Sequence, residues 1–245
     1  MAAGIQALLT AIYGFYNTIF QPLLAMGPYV SLGFFSAVLA GLFSLIYWAL
    51  LDIEKADKIK DKLSDHQEKM KEARSNDNGD KASEHMQKTM ELNQRLMKLN
   101  IKPMIATMVF VALIFPWLGH TFSPTVELNQ TDSTFAGELQ YAGQATPVQV
   151  DNSTSPATVT AGDKSAEVGG ELRTLGMTWE IKYFGEKSGG IFSGGGEGTV
   201  LKLSAKFVQL PFSIPFAGHA LNWLGFYILI AMPLTYVFRK LLGVA

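Results

Sequence analysis

Two long uncharged apolar runs flank a heavily charged stretch. Tyr29–Leu51 and Ile101–Gly119 carry no charged side chain except Lys102 at one edge. Each comes close to, or exceeds, the roughly 20 apolar residues that take a helix across a bilayer. Between them, Asp52 to Lys102 holds twelve of the chain's twenty Lys and Arg. Two membrane spans joined by a charged helical hairpin satisfy this pattern, so the chain reads as a membrane device with a protruding arm rather than a soluble enzyme.

Composition narrows the function classes. Hydrophobic residues make up 48% and charged residues 17%, against about 25% charged in an average soluble domain. A net charge of -1 gives no reason to expect specific nucleic acid as a ligand. With no cysteine there is no disulfide, thiol catalysis or cysteine metal site. The four histidines lack metal-ligand spacing and no Gly-rich phosphate loop follows a strand pattern, so no catalytic residue, cofactor or metal is implied.

A third span, residues 216–238, ends at Arg239-Lys240, and 239–245 follow as a short tail. Lys55, Lys58, Lys60 and Lys62 lie just past the first span (29–51), and Arg95, Lys98 and Lys102 lie at the second (101–120). By the positive-inside rule these clusters are cytoplasmic. Residues 121–215, with ten acids against six bases, are then extracellular, and Asn129 and Asn152 stand in glycosylation-type sequons there. The expected localisation is a plasma membrane, multi-pass, with hairpin and C-terminus inside. Tyr47 and Trp48 at the inner boundary, with Trp117 and Trp223 at the outer, fit aromatic belts.

In residues 1–28, Gln6, Thr10, Gly14, Asn17 and Gln21 recur every three to four positions among apolar neighbours. This spacing predicts an outer interfacial amphipathic helix ending near Pro22 and Pro28, with a fourth span as the other reading.

Within the hairpin, residues 52–100, Ala56, Ile59, Leu63, His66, Met70 and Ala73 follow a 3,4 spacing. Ala82, His85, Thr89, Leu92, Leu96 and Leu99 do the same. Facing seams of this kind predict an antiparallel coiled coil with a weak, mobile tip, turning at Asn76-Asp77-Asn78-Gly79-Asp80. Met86, Met90, Met97, Met104 and Met108 form one stripe if the second arm runs unbroken into the second span. Flexible thioethers suit a surface that accepts many apolar segments, or they fill gaps against neighbouring helices; the pattern allows both.

The spans contain small and polar residues. Gly33, Ala37 and Gly41 form one row in the first span and Ser36, Ala40 and Ser44 another. Such rows pack helices closely; alternatively, Ser36 and Ser44 line a wetted groove with Thr107, Asn222 and Thr235. His219 and Asn222 near the outer end of the third span fit an interfacial role. Outside, short β-type runs at 148–150, 157–159, 171–175, 178–184 and 199–207, with a Gly-rich loop at 189–198, predict a small sandwich-like all-β domain.

The order of elements, the segments Met86–Met90 and Lys102–Ile105, and the pieces Trp223–Tyr227 and Phe238–Gly243 resemble the Oxa/YidC/Alb superfamily of membrane insertases. The chain is similar to its archaeal members and to the insertase subunit of the ER membrane protein complex. The fold implied is an α-helical membrane protein: three transmembrane helices, a cytoplasmic antiparallel coiled coil between the first two, and here an inserted extracellular all-β domain. It departs in lacking a basic residue inside the first span and in its long outer segment.

The implied function is insertase and chaperone activity without nucleotide hydrolysis. The Met stripe would capture hydrophobic segments of nascent membrane proteins and the groove would pass them into lipid. Lys102 supplies charge at the cytoplasmic mouth, and Lys58, Lys60 and Lys62 are the candidate contacts for a ribosome or lipid. Other insertase or translocon subunits are expected partners. A rival reading makes the chain an anchor displaying the β domain, with the coiled coil as a docking handle. A channel would need ionisable residues within the spans, and these are confined to Lys102, His120 and His219 near span ends.

Overall fold

The computed structural model describes residues 2–131, 134–187, 198–214 and 218–244, with side chains at 11–131, 134–187, 198–211 and 220–244. Helices α1 (Ala2–Leu24), α2 (Pro28–Leu50), α3 (Ile53–Ser75) and α4 (Gly79–Phe122) come first. Strands β1 (Thr125–Thr131), β2 (Thr134–Tyr141), β3 (Gln144–Asp151), β4 (Thr158–Ala161) and β5 (Lys164–Glu167) follow. After them come β6 (Glu171–Thr174), β7 (Met177–Glu186), β8 (Thr199–Ile214), β9 (Gly218–Asn222) and α5 (Trp223–Leu241). Among the described residues, three helices are long and apolar enough to cross a membrane: α2, α4 and α5.

The chain divides into two compact units, Met1–Ala37 with Leu113–Ala231 and Val38–Ala112 with Met232–Ala245. In the first, the nine strands make one sheet in the order β5-β4-β3-β2-β1-β8-β7-β6, with β9 on β8. Strand β1 bends, pairing β8 through Thr125–Leu128 and β2 through Asn129–Thr131. The terminal strands β5 and β6 touch each other, so the sheet curls into a barrel-like form, where the sequence suggested a sandwich. Alternation fills the interior: Val148 and Val150 on β3, Met177, Trp179 and Ile181 on β7, and Leu201, Leu203 and Ala205 on β8 are buried. Gly137 sits where β1 bends, and a Cβ there would lie 2.6 Å from the Glu127 carbonyl oxygen, so only glycine fits.

Aromatic side chains continue the core of this unit into its helices. Trp117 is buried against Tyr16, Phe20 and Phe35, with ring centroids 5.3–5.4 Å away. Phe207 of β8 meets Phe122, Tyr29 and Phe226 at 5.4, 5.6 and 5.1 Å. The polar stripe of α1 is partly engaged: Asn17 accepts from the Trp117 indole, while Phe15 and Ile19 stay exposed. The side chains of Gln6 and Thr10 lie outside the described residues.

The third long helix starts at Trp223, later than the expected 216; residue 216 itself lies outside the described residues. Gly218–Leu221 is apolar enough for either structure, but its backbone pairs with β8, and the Asn222 side chain then caps the helix by accepting from Gly225 N–H at 3.0 Å. The expected loop at 189–198 lies outside the described residues except Gly198, and so does the His219 side chain.

In the second unit, Asp52 caps α3 by accepting from Lys55 N–H at 3.1 Å. The helix ends on Asn76 and Asp77, whose φ of 55° closes the last turn while Asn78 N–H returns to the Ala73 carbonyl at 2.9 Å. Asn78 Oδ1 then accepts from Lys81 N–H as α4 begins. Shielding follows the 3,4 spacing: Ala56, Ala73, Ala82 and Leu92 are buried, and Ile59, Leu63, His66, Met70, His85, Thr89, Leu96 and Leu99 half-buried. Exposed faces carry i,i+4 pairs such as Lys69–Asp65 and Arg95–Glu91.

Candidate functional site

Helix α4 runs without a break from the arm into the span, with Pro103 buried within it. At 3.6 residues per turn the spacings of 4, 7, 7 and 4 keep the five methionines within about 40° of one another. All five point outward, Met86 at 42% exposure, Met90 at 56%, Met97 at 66%, Met104 at 53% and Met108 at 69%. They do not fill gaps in the second unit; Ile101 extends the same exposed strip at 40%.

The polar residues expected in a groove fall in different units. Ser44, Thr107 and Thr235 belong to the second. The Ser44 hydroxyl is buried and donates to the Ala40 carbonyl at 2.7 Å, and Thr107 donates to Met104 at 3.0 Å. Thr235 is half-buried. Ser36, in the first unit, is buried and donates to Leu32 at 2.7 Å, and Asn222 is exposed in its capping role. Hydroxyls that return to their own helix cost little in an apolar setting and keep a lone pair free to accept.

Among the charged candidates, Lys102 is exposed and makes no ion pair among the described residues. Lys58 is paired with Glu54 at 2.5 Å and Lys60 with Asp57 at 3.5 Å, while Lys62 is exposed. Asn129 on β1 and Asn152 after β3 are both exposed. Burial pushes the Tyr141 hydroxyl of β2 up to about 12, opposed only by the neighbouring Ser31.

One cavity in the second unit was not anticipated. It has a volume of about 330 Å³, and its walls include Tyr47, Lys60, Leu96, Asn100, Arg239 and Val244. The Arg239 guanidinium lies over the Tyr47 ring at 4.2 Å, and its Nε is buried with no hydrogen-bond acceptor among the described residues. The basic pair after the last span and the aromatic pair at the inner end of the first were legible only as boundary markers.

A family model described as integral membrane protein EMC3/TMCO1-like matches residues 17–140, half of the chain. The chain belongs to the EMC3/TMCO1-like family. That family lies within the Oxa1/YidC/Alb3 insertase superfamily, which gives the chain an insertase-like role in a membrane. The EMC3/TMCO1-like match takes in α2, the whole hairpin and α4, so the methionine strip and Lys102 fall inside it and Arg239 outside. Neither a curated protein nor a solved structure matches the chain.

Proposed function

We propose that this EMC3/TMCO1-like chain captures hydrophobic segments of nascent membrane proteins at the cytoplasmic face and passes them into the bilayer without nucleotide hydrolysis. One observation carries the reading: five exposed methionines on a single helix lead from the arm into the apolar run. Exposed apolar strips of this kind mark interaction surfaces, and thioethers adapt to partners of differing shape.

The physical task is modest. A charged residue at the bilayer centre costs about 2.5–3.5 kcal/mol on insertion scales, and a hydrated path lowers that barrier. In this reading Thr107 and Thr235 offer accepting lone pairs to the polar flank of a client, the buried Ser44 hydroxyl becomes available as the client parts the helices, and Lys102 attracts an acidic tail. The arms form an antiparallel coiled coil, supported by shielding along the 3,4 seam. In this reading the arm and Arg239-Lys240 lie in the cytoplasm of an archaeal cell and the barrel-like domain lies outside its plasma membrane, an orientation that the basic clusters at the span ends support. α1 lies on the outer interface, its exposed Phe15 and Ile19 in lipid. Lys58, Lys60 and Lys62 are the contact for a ribosome, and translocon subunits are further partners.

Reconstitution in liposomes with a short-tailed single-span substrate tests this, scored by protease protection of the translocated tail. Photocrosslinkers at Met97, Ser44 and Thr107 should capture the same substrate. Protection no greater than in empty liposomes, together with absent crosslinks, defeats the reading.

A further inference from the structure

The cavity walled by Arg239 and Lys60 has a chemistry that client capture does not use. Among the described residues, two cationic side chains border it and no Asp or Glu does. Tyr47 covers one face of the Arg239 guanidinium, which leaves the in-plane N–H edges for a partner, and the buried Nε finds none among the described residues. Lys60 is held to Asp57 only at 3.5 Å, with about half of each side chain exposed, so its ammonium can turn inward. Leu96 and Val244 supply apolar wall beside these donors. The site also lies where the apolar helices α2 and α5 end, at Leu50 and Leu241, next to exposed Trp48.

A planar guanidinium fork matches phosphate oxygens in a bidentate way, and a stacked arginine is already oriented for it. We infer that this cavity binds the phosphate of an anionic phospholipid headgroup, with Arg239 as the bidentate donor, Lys60 as the second cation, and Leu96 and Val244 against the glycerol end. A lipid is favoured over a free anion because only a lipid gains from the apolar wall and from a site at the end of two spans. The inference uses the membrane-spanning reading but not client capture, so its failure leaves the insertase reading standing.

Native mass spectrometry of the purified full chain in detergent tests it, titrating phosphatidylglycerol against phosphatidylcholine of the same acyl chains. The wild type should favour the anionic lipid by about fivefold or more, the scale of one basic side chain at an anionic surface. Arg239→Gln should bring the ratio close to parity, and Lys60→Gln and Tyr47→Leu should each lower it in part. Lys98→Gln, which removes an exposed charge elsewhere on the arm, should leave it unchanged. The inference is overturned if Arg239→Gln folds with an unaltered ratio, or if it fails to fold and both other variants keep the full preference. Complete displacement of the lipid by millimolar inorganic phosphate would also overturn it, by revealing a free-anion site. Displacement by a client-tail peptide with a free carboxylate would do the same in favour of a client site.

Discussion

Asn17 Oδ1 accepts a hydrogen bond from Trp117 Nε1 at 2.9 Å, tying α1 to the end of α4 through a tryptophan that is 1% exposed. The α1 stripe thus supplies the acceptor that a buried indole requires.

Replacing Asn17 by Leu should strand the indole N–H in an aromatic cluster and lower stability by about 1–3 kcal/mol. Asn17→Asp, which keeps an acceptor oxygen, should lose much less. Thermal unfolding of the full chain in detergent measures both. Equal midpoints for Asn17→Leu and wild type would mean that the bond holds nothing in place.

A second pair joins the arms. His66 Nδ1 lies 3.1 Å from His85 Nδ1, so one ring donates and the other accepts. Single His66→Leu or His85→Leu variants should each cost about 1 kcal/mol by leaving a half-buried nitrogen unpaired, whereas the double variant should recover most of it. Hydrogen-exchange protection along residues 60–90 reads the effect. Additive losses would show that the two rings do not act as a pair.

Acid should loosen the same hairpin. Asp52, Asp65 and Glu84 are each held below the usual carboxylate value, chiefly by hydrogen bonds to Lys55, Lys69 and Lys88. Their folded values are depressed, so the stabilisation is fully present above the ordinary carboxylate range and disappears as pH falls through the lowered values. Helical circular dichroism of the full chain should decline below about pH 4. The decline should shrink in high salt, which has already screened these exposed pairs. A signal independent of salt across that range would assign any acid response to other groups.

The helices were readable because their signals are local: uncharged runs of bilayer length, 3,4 spacing in the arms, and Asn and Asp at the turn. Around that turn, α3 runs Ile53–Ser75 and α4 begins at Gly79. Strands fared less well. β1 buries only Val126 and Leu128 within Thr125–Thr131, and β2 carries Gly137 at its centre, so neither has the apolar density that marks a strand. The barrel-like closure depends on β1 meeting β8 and β5 touching β6, and no window of sequence records such pairings. The start of α5 was missed because an apolar stretch before Asn222 suits a helix or a strand equally. At the site, the methionine periodicity was visible in advance, but its exposure was not. The Tyr47–Arg239 stack joins residues far apart in the chain and left no local trace.

That exposure yields the sharpest functional prediction. Met86, Met90 and Met97 lie on the charged arm rather than in the apolar run, at 42%, 56% and 66% exposure, where a hydrophobic surface has no lipid to cover it. Fully burying one such side chain contributes roughly 1.5–3 kcal/mol, so half-burial of three under a client segment is worth about two to three powers of ten in affinity if the effects add. Changing all three to Gln keeps length and helix propensity but removes the apolar surface, and should cut client crosslinking at least tenfold. Changing them to Leu keeps the surface and loses only adaptability, so a single well-fitted client should be retained while clients of different shape fall off unevenly. Photocrosslinking yields for several single-span clients, measured with liposome-reconstituted variants of unchanged helicity, separate these outcomes. Undiminished capture by the Gln variant would remove the methionine strip from the client path.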